Sequence, residues 1–433
     1  MTTQQPATPT ISRVLPDNTL IELVYDPSAQ TTALVIAPPD GDPRTEPQFE
    51  LASGERLVPI TPTNNLLTSG CVLLPSEIEP FEDKVTLLTE LRAFIHRYVD
   101  LPETFEAVAA HYVLLSWVYD AFTDLPYLRA HGDYGTGKTR MLLVLGSLVY
   151  KGFFASGAST VSPIFHIQDA FQGTLILDEA DMRASDASAQ LTKILNNGST
   201  HGLPVLRTMT TRNRELHPQA FRVFGPKIVA MRERFSDLAL ESRFITLETS
   251  GRKVRADVPI HLPPAFKAEA LALRNQLLAW RLAARFTVGP VADRQATGVS
   301  PRYRQSSWAL LSLVDDADLR EAIVQELAGE EARVLHERAD TLEAAMLQAL
   351  TDAFAQSDKM NATLKDIAER FNAQAAEELG RNVSNKWVGG FLRRRFNLTT
   401  VKSNGVHAVP RAQLAKVKLL AERYGVSAAL QSP

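Results

Sequence analysis

Eight consecutive residues, Gly132-Asp133-Tyr134-Gly135-Thr136-Gly137-Lys138-Thr139, carry the most specific chemistry in this sequence. They match G-x-x-x-x-G-K-[ST], a spacing in which glycines let the backbone turn until successive N–H groups face one cluster of phosphate oxygens. Lys138 is then placed to reach the β- and γ-phosphates of ATP, and Thr139 to put its hydroxyl on Mg²⁺. Further along, Gly173-Thr174-Leu175-Ile176-Leu177-Asp178-Glu179 is a short apolar run ending in two acids. Asp178 would hold the water shell of the Mg²⁺, and Glu179 would orient and deprotonate an attacking water. That second carboxylate favours ATP hydrolysis over phosphoryl transfer to a small acceptor, which needs a wall of arginines and a lid instead. The competing reading of the acid pair is the first turn of a helix, where Asp and Glu are favoured.

For these groups to meet, the glycine-rich loop must leave a strand and enter a helix. Tyr127–His131 predicts the strand and residues 140–150 an amphipathic helix, whose N-terminus adds its dipole to the site. The apolar run before Asp178 fits a strand buried on both faces of a parallel sheet. Ligands bind at the carboxyl ends of such strands. The expected fold class is therefore α/β, a P-loop NTPase core with a parallel sheet.

With those residues in place, the sequence resembles the AAA+ ATPases. More narrowly it is similar to the helicase-like ATPases of phages, plasmids and integrative elements, relatives of the superfamily III and MCM-type helicases. The stretches carrying the likeness are GDYGTGKTRMLLVLGSL, SGASTVSPIF, GTLILDEAD, KILNNGSTHGLPVLR, VFGPKIVAMRE and LALESRFIT, spread over residues 125–249. The resemblance implies a ring, a hexamer in such relatives, with ATP between subunits and a helical lid. It places Arg232 at the sensor-1 position, where many relatives carry Asn or Thr, and makes Arg243 an arginine finger reaching the neighbouring subunit's γ-phosphate, against a salt bridge to Glu241 or a plain strand-edge charge. It suggests Arg302 or Arg304 for a sensor-2 arginine, against a plain solvated helix entry. Residues 203–223 read as a β-hairpin, a strand at 204–209 with a polar turn and a second strand or loop after it, and the resemblance directs such a hairpin into a central channel. Arg212 and Arg214 at its polar tip, with His217, suit contacts to single-stranded DNA that need no base reading. The competing reading is an exposed hairpin whose polar tip only keeps it soluble.

The rest of the chain divides by composition. Residues 1–80 hold 12 of the 25 prolines and ten acids against three arginines. Short β-branched runs at 20–25, 32–36, 56–60 and 71–74 read as strands, so the expectation is an acidic β-rich N-terminal domain, a poor DNA clamp and either a collar that contacts a replication protein or a solvated cap with no partner. No metal–carboxylate cluster supports a primase or polymerase there. Residues 81–124 are a helical lead-in, 125–250 the ATPase core and 251–340 the lid and linker. Residues 341–433 read as a winged-helix domain of three helices and a wing that turns at Ser403-Asn404-Gly405. From Arg381 to Leu420 there are nine basic residues and no acid, hidden within a net charge of −3 for all 433 residues. Ser384 caps the third helix; Trp387, Val388, Phe391, Leu392 and Phe396 face inward. Lys386, Arg393 and Arg394, with Lys402 on the wing, are left for duplex DNA.

A single cysteine, Cys71, excludes an intrachain disulfide or a cysteine-built zinc site. No secretion signal or membrane-spanning run is present, and the expected location is cytoplasmic. The leading reading is a Mg²⁺-ATP-dependent DNA helicase or translocase serving replication of a mobile element. A DNA-bound initiator or switch that hydrolyses ATP without unwinding uses the same ATP residues. A nucleotide-gated assembly factor with no nucleic-acid role makes the basic C-terminal part a protein dock.

Overall fold

The computed structural model of the chain describes residues 7–156, 159–178, 186–210, 216–235, 237–251, 254–339, 341–355, 361–379, 382–403 and 405–426. The chain folds as two compact units, Met1–Leu327 and Ala328–Pro433.

The first unit opens with seven strands, β1 (Ala7–Thr10), β2 (Ser12–Val14), β3 (Leu20–Asp26), β4 (Thr31–Ala37), β5 (Arg44–Glu46), β6 (Phe49–Glu50) and β7 (Arg56–Pro59). They form a four-stranded sheet in the order β2-β3-β4-β5 and a three-stranded sheet in the order β1-β7-β6. The run 71–74 differs from its sequence reading. It is not a strand, but touches the edge of the next sheet through one bridge, Val72 to Phe153, with the Leu73 N–H donating to the Gly152 carbonyl at 2.9 Å. A short helix, α1 (Asn65–Thr68), precedes it. Ile21, Leu23, Leu34, Ile36 and Leu57 of these strands belong to the same buried cluster as Phe153, Leu175 and Phe244 of the central sheet. The acidic β-rich segment thus shares a core with the nucleotide-binding part.

Two helices follow, α2 (Lys84–Tyr98) and α3 (Glu103–Trp117). Asp83 starts α2 by accepting the Thr86 N–H at 2.8 Å. In α3 every residue from Phe105 to Trp117 is buried, because the helix is predominantly apolar on all its faces and packs on several sides. The central sheet contains β8 (Tyr127–His131), β9 (Phe153–Ser156), β10 (Leu175–Asp178), β13 (Lys227–Met231) and β14 (Phe244–Glu248), in the order β14-β8-β13-β10-β9. All four pairings are parallel. β13 lies between β8 and β10, so the chain leaves three adjacent strands at one edge of the sheet. The crossovers are helices α4 (Lys138–Gly146), α5 (Val161–Phe171), α6 (Asp186–Asn197) and the one-turn α7 (Leu238–Glu241). Between α6 and β13, β11 (Val205–Thr210) and β12 (Leu216–Phe221) pair antiparallel as a two-stranded ribbon. Then come α8 (Ala265–Ala284), α9 (Pro301–Leu313) and α10 (Ala317–Ala339), in which the division between the units falls.

A buried ionic cluster ties three of these parts together. Glu22 of β3 accepts from Arg281 of α8 at 2.7 Å, from Tyr150 at 2.8 Å, and pairs with Lys151 at 3.0 Å. Arg281 also grips Asp120 at 2.9 and 3.0 Å. Burial pushes the Asp120 carboxyl up, but Arg281 and Arg285 outweigh it and bring it down to about 2. Burial pushes the Lys151 ammonium down to about 8 against the pull of Glu22.

The second unit contains α11 (Leu342–Ala355), β15 (Asn361–Thr363), α12 (Leu364–Leu379), α13 (Asn385–Phe396), β16 (Val401–Ser403), β17 (Val406–Pro410) and α14 (Leu414–Arg423). Its three strands form an antiparallel sheet in the order β15-β17-β16. Ser384 caps α13 by accepting the Trp387 N–H at 3.3 Å. Val388, Leu392 and Phe396 are buried, worth about 2 kcal/mol each by transfer. Among the described residues no helix is long and apolar enough to cross a membrane.

Candidate nucleotide site and basic surfaces

β8 delivers the chain to the glycine-rich loop at its carboxyl end, and α4 begins directly at Lys138. Gly137, the N-cap, has φ +87°, a backbone conformation a side chain resists. Gly132 is tighter still: a Cβ there would meet Thr249 Oγ1 at 2.4 Å and Ser250 Oγ at 2.7 Å. The loop is braced from behind by those two residues. Thr249 Oγ1 lies 2.6 Å from Thr136 Oγ1 and donates to the His131 carbonyl at 2.9 Å. Ser250 Oγ accepts the Asp133 N–H at 3.3 Å. Sequence reasoning missed both. They follow β14, and only the parallel register that sets Glu248 opposite His131 brings them to the loop.

Lys138 Nζ folds over the loop and donates to the carbonyls of Gly132 at 2.6 Å and Asp133 at 2.5 Å. Thr139 Oγ1 donates to Asp178 Oδ2 at 2.9 Å. These two are the groups the sequence singled out for Mg²⁺, and the strand order brings them together from β8 and β10. A hydroxyl and a carboxylate are hard oxygen donors suited to an ion that keeps several waters and takes the rest of its ligands from phosphates. Glu179 lies outside the described residues. Tyr134, Gly135, Thr136, Gly137, Lys138, Thr139, Asp178 and Arg232 line one cleft of about 300 Å³. Arg232 directly follows β13, and its guanidinium stands 5.7 Å from the centre of the exposed Tyr134 ring. Arg140, which the sequence also did not flag, anchors the start of α4. It donates to the carbonyls of Pro259 at 2.9 Å, Ile260 at 2.5 Å and Tyr98 at 3.2 Å. The exposed N–H groups of the α4 terminus, its dipole and Lys138 can together bind a polyphosphate.

Arg243 sits elsewhere. It precedes β14, and its carbonyl accepts the Tyr127 N–H at 2.8 Å, at the amino-terminal edge of the sheet. β14 separates it from the loop edge by about 13 Å of strand. It therefore does not reach the phosphate loop of its own chain. Burial pushes the Arg243 guanidinium pKa down, and Arg302 adds to this, with Tyr127 opposing. Arg302 and Arg304 lie on the first turns of α9, which packs there too: Ser306 Oγ donates to the Ser242 carbonyl at 3.2 Å. A sensor-2 role for either arginine at its own loop does not fit this placement.

In the ribbon, β11 alternates its faces, whereas β12 is exposed from Leu216 to Ala220. Val205, Arg207 and Met209 turn inward, and the Arg207 guanidinium lies 3.9 Å from the Phe165 ring centre. His217 is exposed, paired with Met209. Arg212 and Arg214 lie outside the described residues. In the second unit Lys386, Arg393, Arg394 and Lys402 are all exposed. The first three fall at i, i+7 and i+8 of α13 and share a face. Arg393 donates to Thr400 Oγ1 at 2.8 Å, and Arg395 pairs with Glu343 at 3.5 Å. Asn404, in the wing turn, lies outside the described residues.

No protein-family model and no curated protein sequence matches the chain. Among solved structures it is similar to the apo C-terminal region of NrS-1, with 14% identity over 90% of this chain and 96% of that one, at a TM-score of 0.40. It is also similar to the active helicase Cch of SCCmec type IV, with 10% identity over 94% and 97% of the two chains and a TM-score of 0.38. A full-length MCM homolog from Methanopyrus kandleri shares 14% identity over 70% of this chain and 69% of that one, with a TM-score of 0.33. At such scores no residue role passes from those chains to this one. The five-stranded parallel sheet and the loop at the end of β8 fit a P-loop NTPase core.

Proposed function

We propose that this chain is a Mg²⁺-dependent ATPase of the AAA+ type, assembled as a ring, most simply a hexamer, that couples hydrolysis to unwinding or translocation of DNA. The observation that supports it most is the 2.9 Å bond from Thr139 to Asp178 beneath Lys138. In the proposal the loop N–H groups and Lys138 bind the β- and γ-phosphates, releasing Lys138 from the Gly132 and Asp133 carbonyls. Thr139 and Asp178 would hold Mg²⁺, which supplies charge neutralisation on the phosphate oxygens when bound. Glu179 takes the proton of the attacking water, and Arg232 senses the γ-phosphate side of the cleft. Arg243 acts on the nucleotide of the neighbouring copy, a role its distance from its own loop favours.

The DNA contacts divide between the two units. Arg212, Arg214 and His217 would grip a single strand in the channel. The face of Lys386, Arg393 and Arg394, with Lys402 on the wing of a winged-helix fold, would engage duplex. Such a machine suits replication of a mobile element, with the acidic β-rich segment available to a replication protein and the whole acting in the cytoplasm. The test is strand displacement on a forked duplex, with ATPase measured with and without single-stranded DNA. Displacement that disappears in Lys138→Ala and in Arg212→Ala/Arg214→Ala supports the reading. ATP hydrolysis indifferent to DNA, with no displacement, overturns the DNA-motor part.

A further inference from the structure

We propose that Asn196 is the positioning residue for the arginine this chain offers to its neighbour. The inference rests on the trans reading of Arg243 and deepens it. α6 begins eight residues after Asp178 and ends at the opposite edge of the sheet, where the Tyr127 hydroxyl donates to the Leu195 carbonyl at 2.8 Å and the Leu125 N–H to the Ser199 carbonyl at 2.9 Å. Arg243 emerges at that same edge. There Asn196 Oδ1 accepts a hydrogen bond from Arg243 Nη1. Asn196 Nδ2 donates in turn to Asp237 Oδ2 at 2.7 Å.

The order of these three groups has a chemical logic. Asp237 is fixed by its own chain, since its other carboxylate oxygen accepts the Ala239 N–H at 2.9 Å. A carboxylate accepts only, so it selects the NH₂ side of the Asn196 amide and turns the carbonyl side to Arg243. The amide takes one of the five guanidinium N–H groups and removes no charge. Arg243 is thereby aimed while its full positive charge stays available for a phosphate. The backbone beneath it is held far more strongly. Glu241, two residues earlier, is buried, accepts from Arg129 at 2.7 and 2.7 Å and takes the Phe235 N–H at 2.7 Å. The root of the arginine is rigid, and among the described residues a single neutral bond directs its tip. That arrangement suits a group that must let go of its own subunit when a neighbour presents a γ-phosphate.

The test uses two full-length proteins with complementary defects. Lys138→Ala subunits cannot bind nucleotide productively but can offer Arg243; Arg243→Ala subunits can bind nucleotide but offer nothing. Mixed assemblies, verified by native mass spectrometry, should regain turnover. Adding Asn196→Leu to the Lys138→Ala partner should cut the recovered rate about ten-fold, the factor given by about 1.4 kcal/mol of lost orientation. Asn196→Gln, which keeps both amide groups, should stay within about three-fold. Placed in the Arg243→Ala partner, where there is no guanidinium to hold, Asn196→Leu should change recovery less than about two-fold. If Asn196→Leu does not assemble, Asp237→Asn in the Lys138→Ala partner carries the same test, because the Asn196 amide then loses its fixed orientation and recovery should fall several-fold. Full recovery with the offering partner altered, or equal loss whichever partner is altered, overturns the inference alone. No recovery from the unaltered mixture overturns the trans reading and this inference together.

Discussion

The basic face of the second unit makes a quantitative prediction. Lys386, Arg393, Arg394 and Lys402 are exposed; Arg395 is exposed too, but its charge is paired with Glu343. Four phosphate contacts give a slope of log affinity against log salt of about −3.6 on duplex DNA, at about 0.9 per contact. Between roughly 50 and 200 mM salt, affinity should then fall about 150-fold. Arg393→Ala/Arg394→Ala removes two contacts, so the slope should flatten to about −1.8 and the loss over the same range to about 12-fold. The substitution should spare the fold, because both side chains are exposed and such surface changes stay within about 0.5 kcal/mol. Fluorescence anisotropy of a labelled duplex across a salt series measures the slope, and a thermal melt confirms the fold. ATP turnover without DNA should be unchanged. A double variant whose slope equals that of the unaltered protein refutes the phosphate contacts and leaves this unit as a protein dock.

Three further outcomes are expected. Lys138→Ala should abolish nucleotide binding, whereas Glu179→Gln should bind ATP and fail to turn it over; calorimetry and phosphate release separate the two, and near-normal turnover by Glu179→Gln would disprove its role as base. Gly132→Ala should weaken ATP binding at least about ten-fold, since its Cβ would stand 2.4 Å from Thr249 Oγ1 and must push the brace off the loop; unchanged affinity would show that the brace is irrelevant. Asp120 is held at about 2 in the folded chain against 3.8 for the free group, so its carboxylate form stabilises the fold above about pH 4, and that stability is lost as pH falls towards 2. Asp120→Asn should cost about 2 kcal/mol at neutral pH and blunt the acid-induced drop, read from denaturant midpoints at pH 7 and pH 3; equal losses at both pH values would refute the linkage.

The nucleotide loop was legible because its chemistry is contiguous. Eight neighbouring residues, an apolar strand before them and a helix after them suffice to present N–H groups, Lys138 and Thr139 to a phosphate. Asp178 was legible for a related reason, since an apolar run ending in an acid is how a buried parallel strand meets its ligand edge. Helices α11, α12 and α13 of the second unit were equally readable, because they rest on local periodicity and the Ser384 cap, whereas β15 and α14 formed no part of the sequence reading. What the sequence could not fix is which strands lie side by side. That β13 lies between β8 and β10, that β14 pairs with β8 and so sets Thr249 and Ser250 behind Gly132, and that α6 ends beside Arg243 are long-range pairings with no local signature. The same holds for Glu22, an acid in a β-rich run that reads as a surface charge until Lys151 and Arg281 are brought to it. A motif determines the chemistry of its own few residues; only the packed sheet decides which distant groups brace it, and which arginine is kept too far away to serve its own loop.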